Sequence, residues 1–303
     1  MPPDAELRIG PARPQTALES LALVFGDLHE ADRHLEVQSL LVDEIPHEGI
    51  LEARRGARLV GAVVSIAQPG RIGLVWPPKL IEDEPEATAD RLLEAADARM
   101  AAAGLSMAQA VLETVSEVEN RLLRAHGYQP MSRVLYLVAA EQDFPPARPE
   151  GPLDFEPYCQ TSHGRLVKIV EATYEQTQDC PQLGGVREVE DVLAGYRHAG
   201  VFDPRHWLIV RHQGEDVGCL VVADHPDHES CELVYMGLAV AARGRGWGKQ
   251  IARYAQWLTA CAGQPRLVVA VDAANDPAIA VYTSIGFHAW DRRVVYVKLF
   301  QPQ

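Results

Sequence analysis

Cysteine is scarce in this chain, with five in 303 residues. They stand at positions 159, 180, 219, 231 and 261, odd in number, all in the second half, with no Cys-x-x-Cys pair. That scatter argues against a disulfide framework or a thiolate zinc site and reads as free thiols. Long apolar runs are missing as well: none approaches the roughly 20 residues a membrane-spanning helix needs. The opening Met-Pro-Pro-Asp-Ala-Glu lacks the basic-then-apolar order of a secretory signal. The expectation is a cytoplasmic protein without a membrane partner. Bases are short too, 28 Lys+Arg against 42 Asp+Glu, for a net charge of −14. Residues 1–150 hold 24 acids and 14 bases, residues 151–303 hold 18 and 14, so the halves carry −10 and −4. An acidic surface argues against nucleic acid. It serves solubility and mildly favours a cationic substrate.

What is present is an ordinary globular composition, 47% hydrophobic and 23% charged, over a length that suggests two domains. The stretch that organises the second half runs from Cys231 to Phe287. An apolar strand over about Cys231–Val240, interrupted at Gly237, leads into Arg243-Gly244-Arg245-Gly246-Trp247-Gly248-Lys249. The next residues repeat apolar side chains at helical spacing: Ile251, Tyr254, Ala255, Leu258 and Cys261. A glycine loop that opens a helix leaves main-chain N–H groups unpaired at the positive end of the dipole. Without Cβ atoms, the glycines let a phosphate come close. Arg243 and Arg245 add positive charge at the rim. The spacing Gly-x-Gly-x-Gly is neither the dinucleotide fingerprint nor, with Gln250 after Gly248-Lys249, a P-loop.

This loop resembles the acetyl-CoA loop of the GNAT acetyltransferase superfamily, Gln/Arg-x-x-Gly-x-Gly/Ala, matched here by Arg243 through Gly248. The likeness continues through the strand Arg266–Asp272, Asn275, the helix Pro277–Ile285 with Tyr282, and Gly286-Phe287. It implies an α/β fold: a mixed, mostly antiparallel sheet flanked by helices and splayed at its central strands. It further implies acetyl-CoA as acetyl donor without a metal, and direct attack by a primary amine of a small molecule or peptide. Under it, Glu232 takes the place of a catalytic glutamate and serves as general base, while Tyr282 points at the thioester sulfur as general acid. The cofactor contacts it implies are the main chain of Leu238, Ala239 and Val240, the loop Arg243, Gly244, Arg245, Gly246, Trp247, Gly248 and Lys249, and then Asn275 and Ala278. Gly237 would mark the bulge at which the sheet opens. Asn275, just before Asp276-Pro277, also reads as a helix N-cap without any ligand.

The first half repeats the second. Leu74-Val75-Trp76 precedes Leu233-Val234-Tyr235 by 159 residues, and Gly127-Tyr128 precedes Gly286-Phe287 by the same interval. One offset at both ends of the stretch points to tandem copies of one fold. In the first copy the glycine loop becomes Glu84-Pro85-Glu86-Ala87-Thr88-Ala89, whose carboxylates repel a diphosphate; Glu232 falls on Gly73 and Tyr282 on Leu123. The layout is similar to that of mycothiol synthase, a likeness that carries no substrate across. The expected division is a degenerate, non-catalytic copy over 1–143, a Pro-rich linker over 144–152, and a catalytic domain over 153–303, acting as monomer or homodimer. Helices are expected over Thr16–Leu28 and Glu30–Val42.

Acceptor recognition falls to the turn-rich segment Thr177–Gly185, where Asp179 would hold an ammonium and Cys180 would line the site. The run Asp224-His225-Pro226-Asp227-His228-Glu229 has metal-binding residue types but the composition of a hairpin turn, the preferred reading. Two functions remain open: an acetyl-CoA-dependent N-acetyltransferase, and a non-catalytic acetyl-CoA-binding sensor. The joint presence of Glu232 and Tyr282 favours the enzyme.

Overall fold

A computed structural model describes residues 6–26, 45–183 and 185–300. The expected helix Glu30–Val42 lies outside them. In chain order the elements are β1 (Leu7–Pro11), α1 (Ala17–Phe25), β2 (Ile50–Arg55), β3 (Arg58–Gln68), β4 (Ile72–Leu80), α2 (Ala87–Ala102), β5 (Met107–Leu112), α3 (Glu117–Ala125) and β6 (Gln129–Ala140). The second series is β7 (Asp154–Pro157), α4 (His163–Tyr174), α5 (Val189–Arg197), β8 (Trp207–His212), β9 (Glu215–His225), β10 (Ser230–Leu238), α6 (Trp247–Cys261), β11 (Arg266–Asp272), α7 (Asp276–Thr283) and β12 (His288–Leu299).

The chain divides into two compact units, Met1–Pro130 with Val294–Gln303, and Met131–Arg293. These are not the expected segments on either side of a linker. The end of β12, Val294–Leu299, pairs antiparallel with β5 and so completes the first unit's sheet. Val134–Ala140 of β6 pairs antiparallel with β11 and belongs to the second. The choice of strand partner is non-local, and local composition carries no trace of it. Nor is segment 144–152 a free spacer. Phe144 packs against the second unit's core, and the Arg148 guanidinium lies 5.4 Å from the Tyr254 ring centre.

The first unit's strands run in the order β1, β2, β3, β4, β5 and the end of β12, antiparallel except for the parallel pair β4–β5. Its core forms where Leu93 and Met100 of α2 and Leu122 and Leu123 of α3 meet Val75, Ala108 and Ala110. In the second unit the order is β6, β11, β10, β9, β8, β7, with β10–β11 the one parallel pair. Strand alternation sorts the side chains by face. Cys231, Leu233, Leu267, Val269 and Val271 turn toward Ile251, Tyr254, Ala255 and Leu258 of α6, the stripe legible in the sequence. Leu166, Ile169 and Val170 of α4 cover the other face with Ile209, Cys219 and Val221.

Equivalent elements confirm the repeat and refine its register. Val222 pairs with Leu233 in the second unit, and Ser65 pairs with Val75 at the same point of the first. Val221 then pairs with Tyr235, whereas Val64 pairs with Trp76. Thus β10 holds an extra residue at Val234 opposite β9, and β4 holds one between Trp76 and Lys79 opposite β3, so both copies carry a bulge but not at the same step of the ladder. A bulge shifts the offset by one residue over a few positions, which a count of intervals cannot detect.

Candidate active site

The site begins where two strands part. β10 and β11 are paired only at Cys231–Leu267 and Glu232–Val268. Beyond Glu232, β10 follows β9 alone, with its register shift between Leu233 and Tyr235. The bulge therefore sits at Val234 and not at Gly237, which stays in the ladder opposite Cys219. Gly237 is needed for another reason: a Cβ there would stand 2.6 Å from Cβ of Thr173 on α4. The amide of Ala239 donates to Val217 O at 3.0 Å, so it is spent on β9 rather than offered to a ligand. By alternation, the main-chain groups of Met236 and the amide of Leu238 face the gap that β11 has left, while Leu238 O accepts from Arg243 Nε at 2.9 Å. Val240 O accepts from the Arg243 amide at 3.2 Å; Met236 is a position the sequence gave no reason to single out.

The glycine loop follows. Gly244 and Gly246 have φ of +76° each, the left-handed region that a Cβ disfavours, and Gly246 is the N-cap of α6. Among the described residues, none of the main-chain N–H groups from Gly244 to Gly248 has an intramolecular partner. Consecutive free donors at the positive end of a 15-residue helix form a cradle that could hold an anion. Two side chains depart from expectation. The Arg243 guanidinium is turned away from the loop and donates to the carbonyls of Leu238, Thr173, Glu175 and Gln176 at 2.8–3.0 Å, closing the C-terminal end of α4. The Trp247 ring is buried against the core, with His212 at 4.5 Å, and leaves only its amide to the cradle. Arg245 and Lys249 are exposed as expected, the former 4.9 Å above the Trp247 ring.

The first unit fills the same place with its own anion. The Glu84 side chain is held by Arg55 at 3.0 Å and by the Thr88 hydroxyl at 2.6 Å beside the start of α2. Burial alone would raise the Glu84 pKa, but the hydrogen bonds from Arg55 and Thr88 outweigh it and hold it low, so the carboxylate stays charged. The cap of α2, Glu86, is αR, with φ −52°. Nothing here repeats the open glycine turn.

Tyr282 lies on α7, 4% exposed, with its ring 5.3 Å from Phe287. Burial, and then the charge of Asp179, pushes its pKa well above that of a free phenol, so it holds its proton at neutral pH. Asn275 caps α7 through a 3.3 Å bond from the Ala278 amide, which fulfils the capping reading. Asp179 and Cys180 are locked to the end of β11. The Asp272 amide donates to Asp179 Oδ1 at 2.9 Å, and the Cys180 amide donates to Asp272 Oδ2 at 3.2 Å. Asp179 is exposed as a residue, yet its carboxylate is turned inward, and burial there raises its pKa. Burial and Asp179 push the Cys180 thiol up to about 12, which leaves it a poor nucleophile.

Glu232 shares the sheet face of Val268, Ala270 and Asp272, opposite α6. Its Oε2 lies 3.2 Å from Nε2 of His225, with side-chain exposures of 33% and 25% for the pair. Tyr136, paired with Ala270, is on the same face; burial raises its pKa, the Arg293 charge opposes this, and the Glu232 charge adds to it. The structure thus joins Glu232 to His225 and Asp179 to Cys180, while Asp272 lies four residues along β11 from Val268, about 13 Å away. His225 enters the sequence reading only within the turn run Asp224–Glu229 and not as a partner of Glu232, and Tyr136 does not enter it. The hairpin register, Ser230 opposite His225, was the signal that would have found the first. The Pro226–His228 segment forms the expected turn between β9 and β10.

A parted parallel pair with an open glycine cradle at the next helix defines the class. Residues 170–287 match the profile of the acetyltransferase (GNAT) family, and this part of the chain is a GNAT acetyltransferase domain. The fold agrees: a GCN5-related N-acetyltransferase from Sphaerobacter thermophilus superposes with a TM-score of 0.65 at 17% identity, over 100% of this chain and 98% of that one. A tandem GNAT protein from the clavulanic acid biosynthesis pathway gives 0.56 at 14% identity, over 98% and 100%. In sequence, the chain is similar to the mycothiol acetyltransferase of Pseudarthrobacter chlorophenolicus, with 28% identity over 254 residues, 80% of this chain and 75% of that protein. The protein is an acetyltransferase homologous to the mycothiol acetyltransferases. Among the described residues no helix is long and apolar enough to cross a membrane.

Proposed function

We propose that the second unit transfers the acetyl group of acetyl-CoA to a primary amine by direct attack, and that the amine belongs to the desacetyl form of mycothiol. The observation that carries this reading is the run of unpartnered amides from Gly244 to Gly248, set at the start of α6 beside the gap that opens after Glu232. The diphosphate of CoA fits the cradle, and the pantetheine arm lies along Met236 and Leu238 in the gap, where a main-chain N–H polarises the thioester carbonyl. Asn275 and Ala278, at the start of α7, flank that arm.

An alkylammonium, with a pKa near 10, must lose a proton before it attacks. Glu232 takes that proton. Tyr282, kept protonated by burial, returns one to the leaving thiolate. Asp179 draws the cationic acceptor to the end of β11, and Cys180 lines its path as a neutral thiol. The first unit binds no CoA, because Glu84 already occupies its cradle.

CoA release with desacetyl-mycothiol and a panel of other primary amines tests the proposal. Wild-type protein should turn over at least one of them, and Tyr282→Phe should lower kcat by about 10- to 100-fold with KM for acetyl-CoA unchanged. No amine-dependent release would sink the amine reading, and an unimpaired Tyr282→Phe would sink the acid.

A further inference from the structure

The contact between His225 and Glu232 has no structural necessity. His225 ends β9 and Glu232 lies on β10, two positions away from the residue opposite His225, so the imidazole reaches diagonally across the hairpin to Oε2 at 3.2 Å. The ring is also held from behind. Val201 N donates to Asp224 O at 2.8 Å, and this brings Gly200 so close that a Cβ there would lie 2.9 Å from His225 Cε1 and 3.0 Å from Nε2. One nitrogen is thus fixed on the carboxylate, while the side chain remains 25% exposed to water.

We propose that His225 is the positioning and proton-carrying partner of Glu232: it orients the carboxylate toward the acceptor amine and passes the abstracted proton to solvent. This rests on Glu232 as general base. The proton balance is simple. The ammonium N–H bond breaks as Glu232 becomes a carboxylic acid, and the acid gives its proton to Nε2 of neutral His225, which carries its own proton on Nδ1. The imidazolium gives up its Nδ1 proton to water; exchange with water between the two nitrogens then restores the Nδ1–H tautomer beside the Glu232 carboxylate. No oxidant or further reactant is needed.

The physical gain lies in proton affinity. A reference glutamate, near 4.3, is a weak base for an alkylammonium near 10, whereas imidazole stands near 6.5, about a hundredfold stronger than the carboxylate. A base works best when its pKa is near the working pH, and an imidazole by its chemistry meets that condition better than a carboxylate. The other groups facing the pair are few. Tyr136 on β6 senses Glu232, and through the same neighbourhood Arg293 and Asp291 of β12; the His228 ring centre is 6.4 Å from that of His225. Arg293 is itself engaged by Asp291 at 2.6 Å.

The test compares Glu232→Gln, His225→Gln, His225→Ala and Gly200→Ala in the full chain, with acetyl-CoA and desacetyl-mycothiol, and calorimetry of acetyl-CoA binding as the check on folding. Glu232→Gln should lose at least about 100-fold in kcat. His225→Gln should lose about 10-fold or more with both KM values unchanged, and its acid limb of kcat/KM should move to lower pH, toward the range of a bare carboxylate. Added imidazole should restore part of the rate of His225→Ala, and Gly200→Ala, which displaces the ring, should show a milder version of the same loss. Independently of any acceptor, the NMR resonance of His225 Nε2 at fixed pH should differ between Glu232→Gln and wild type, since Nε2 then faces an amide in place of a carboxylate.

If Glu232→Gln is crippled while His225→Gln keeps its rate and acid limb, the relay is wrong and the base stands. Loss in His225→Gln without a moved limb, and without rescue by imidazole, means packing alone and also overturns the relay. Full activity of Glu232→Gln removes the base and the relay together, as an unchanged His225 Nε2 resonance removes their contact.

Discussion

Asp179 shows how much of a residue's behaviour is set by what surrounds it. Burial raises its pKa, the Asp272 amide bond opposes this, and the Asp272 charge adds to the rise. A carboxyl whose folded pKa stands above its unfolded value favours the folded state while protonated. That contribution is present below the unfolded pKa and is lost as pH rises through the folded pKa, so at neutral pH the charged group costs stability. Asp179→Asn keeps a carbonyl oxygen for the Asp272 amide and removes the charge. Its melting temperature should exceed that of wild type at pH 7.5, with the difference gone by about pH 3, below the unfolded pKa of about 3.9, where both carry a neutral side chain in folded and unfolded chains. The same variant should raise the acceptor KM. Lower stability at pH 7.5 would mean that the charge is compensated, contrary to this account. Arg243 teaches the converse lesson: a cation beside a phosphate loop reads as a ligand until its donors are found on four carbonyls.

At the scale of elements, the junction of loop and helix matters most. Gly246 is left-handed at the N-cap of α6, where a side chain adds backbone strain and a carboxylate adds repulsion. Gly246→Asp should weaken acetyl-CoA binding by about 100-fold or more in calorimetry, whereas Ala87→Asp, at the start of α2, should leave it unchanged. A loss from Ala87→Asp would place a working cradle in the first unit. This loop and the stripe of α6 were legible because glycine spacing and helical periodicity are local properties. The bulge was misread because Gly237 is required by Thr173, a residue on α4 that the strand's own sequence does not reveal.

For the molecule as a whole, each unit owes its last strand to a distant part of the chain. The first unit ends its sheet with Val294–Leu299, paired residue by residue with β5 from Leu112 to Met107. A chain truncated after Arg293 should therefore lose hydrogen-exchange protection at Met107–Leu112, since those amides have no other strand on that side, and should keep it at Arg266–Asp272, which pairs with β6. Retained protection at β5 would mean that the first unit closes its sheet without β12.

The sequence by itself determined the tandem repeat, the helices that follow each glycine or acidic loop, and the glycine turn at the start of α6. All of these follow from residues a few positions apart, whose spacing fixes how they fall on a helix or strand. Only the tertiary structure decided which strand completes which sheet, the one-residue bulge at Val234, and the meeting of His225 with Glu232. Each of these depends on a partner brought up by folding, and a hydrogen bond or a close packing contact has no counterpart in the residues of one segment alone.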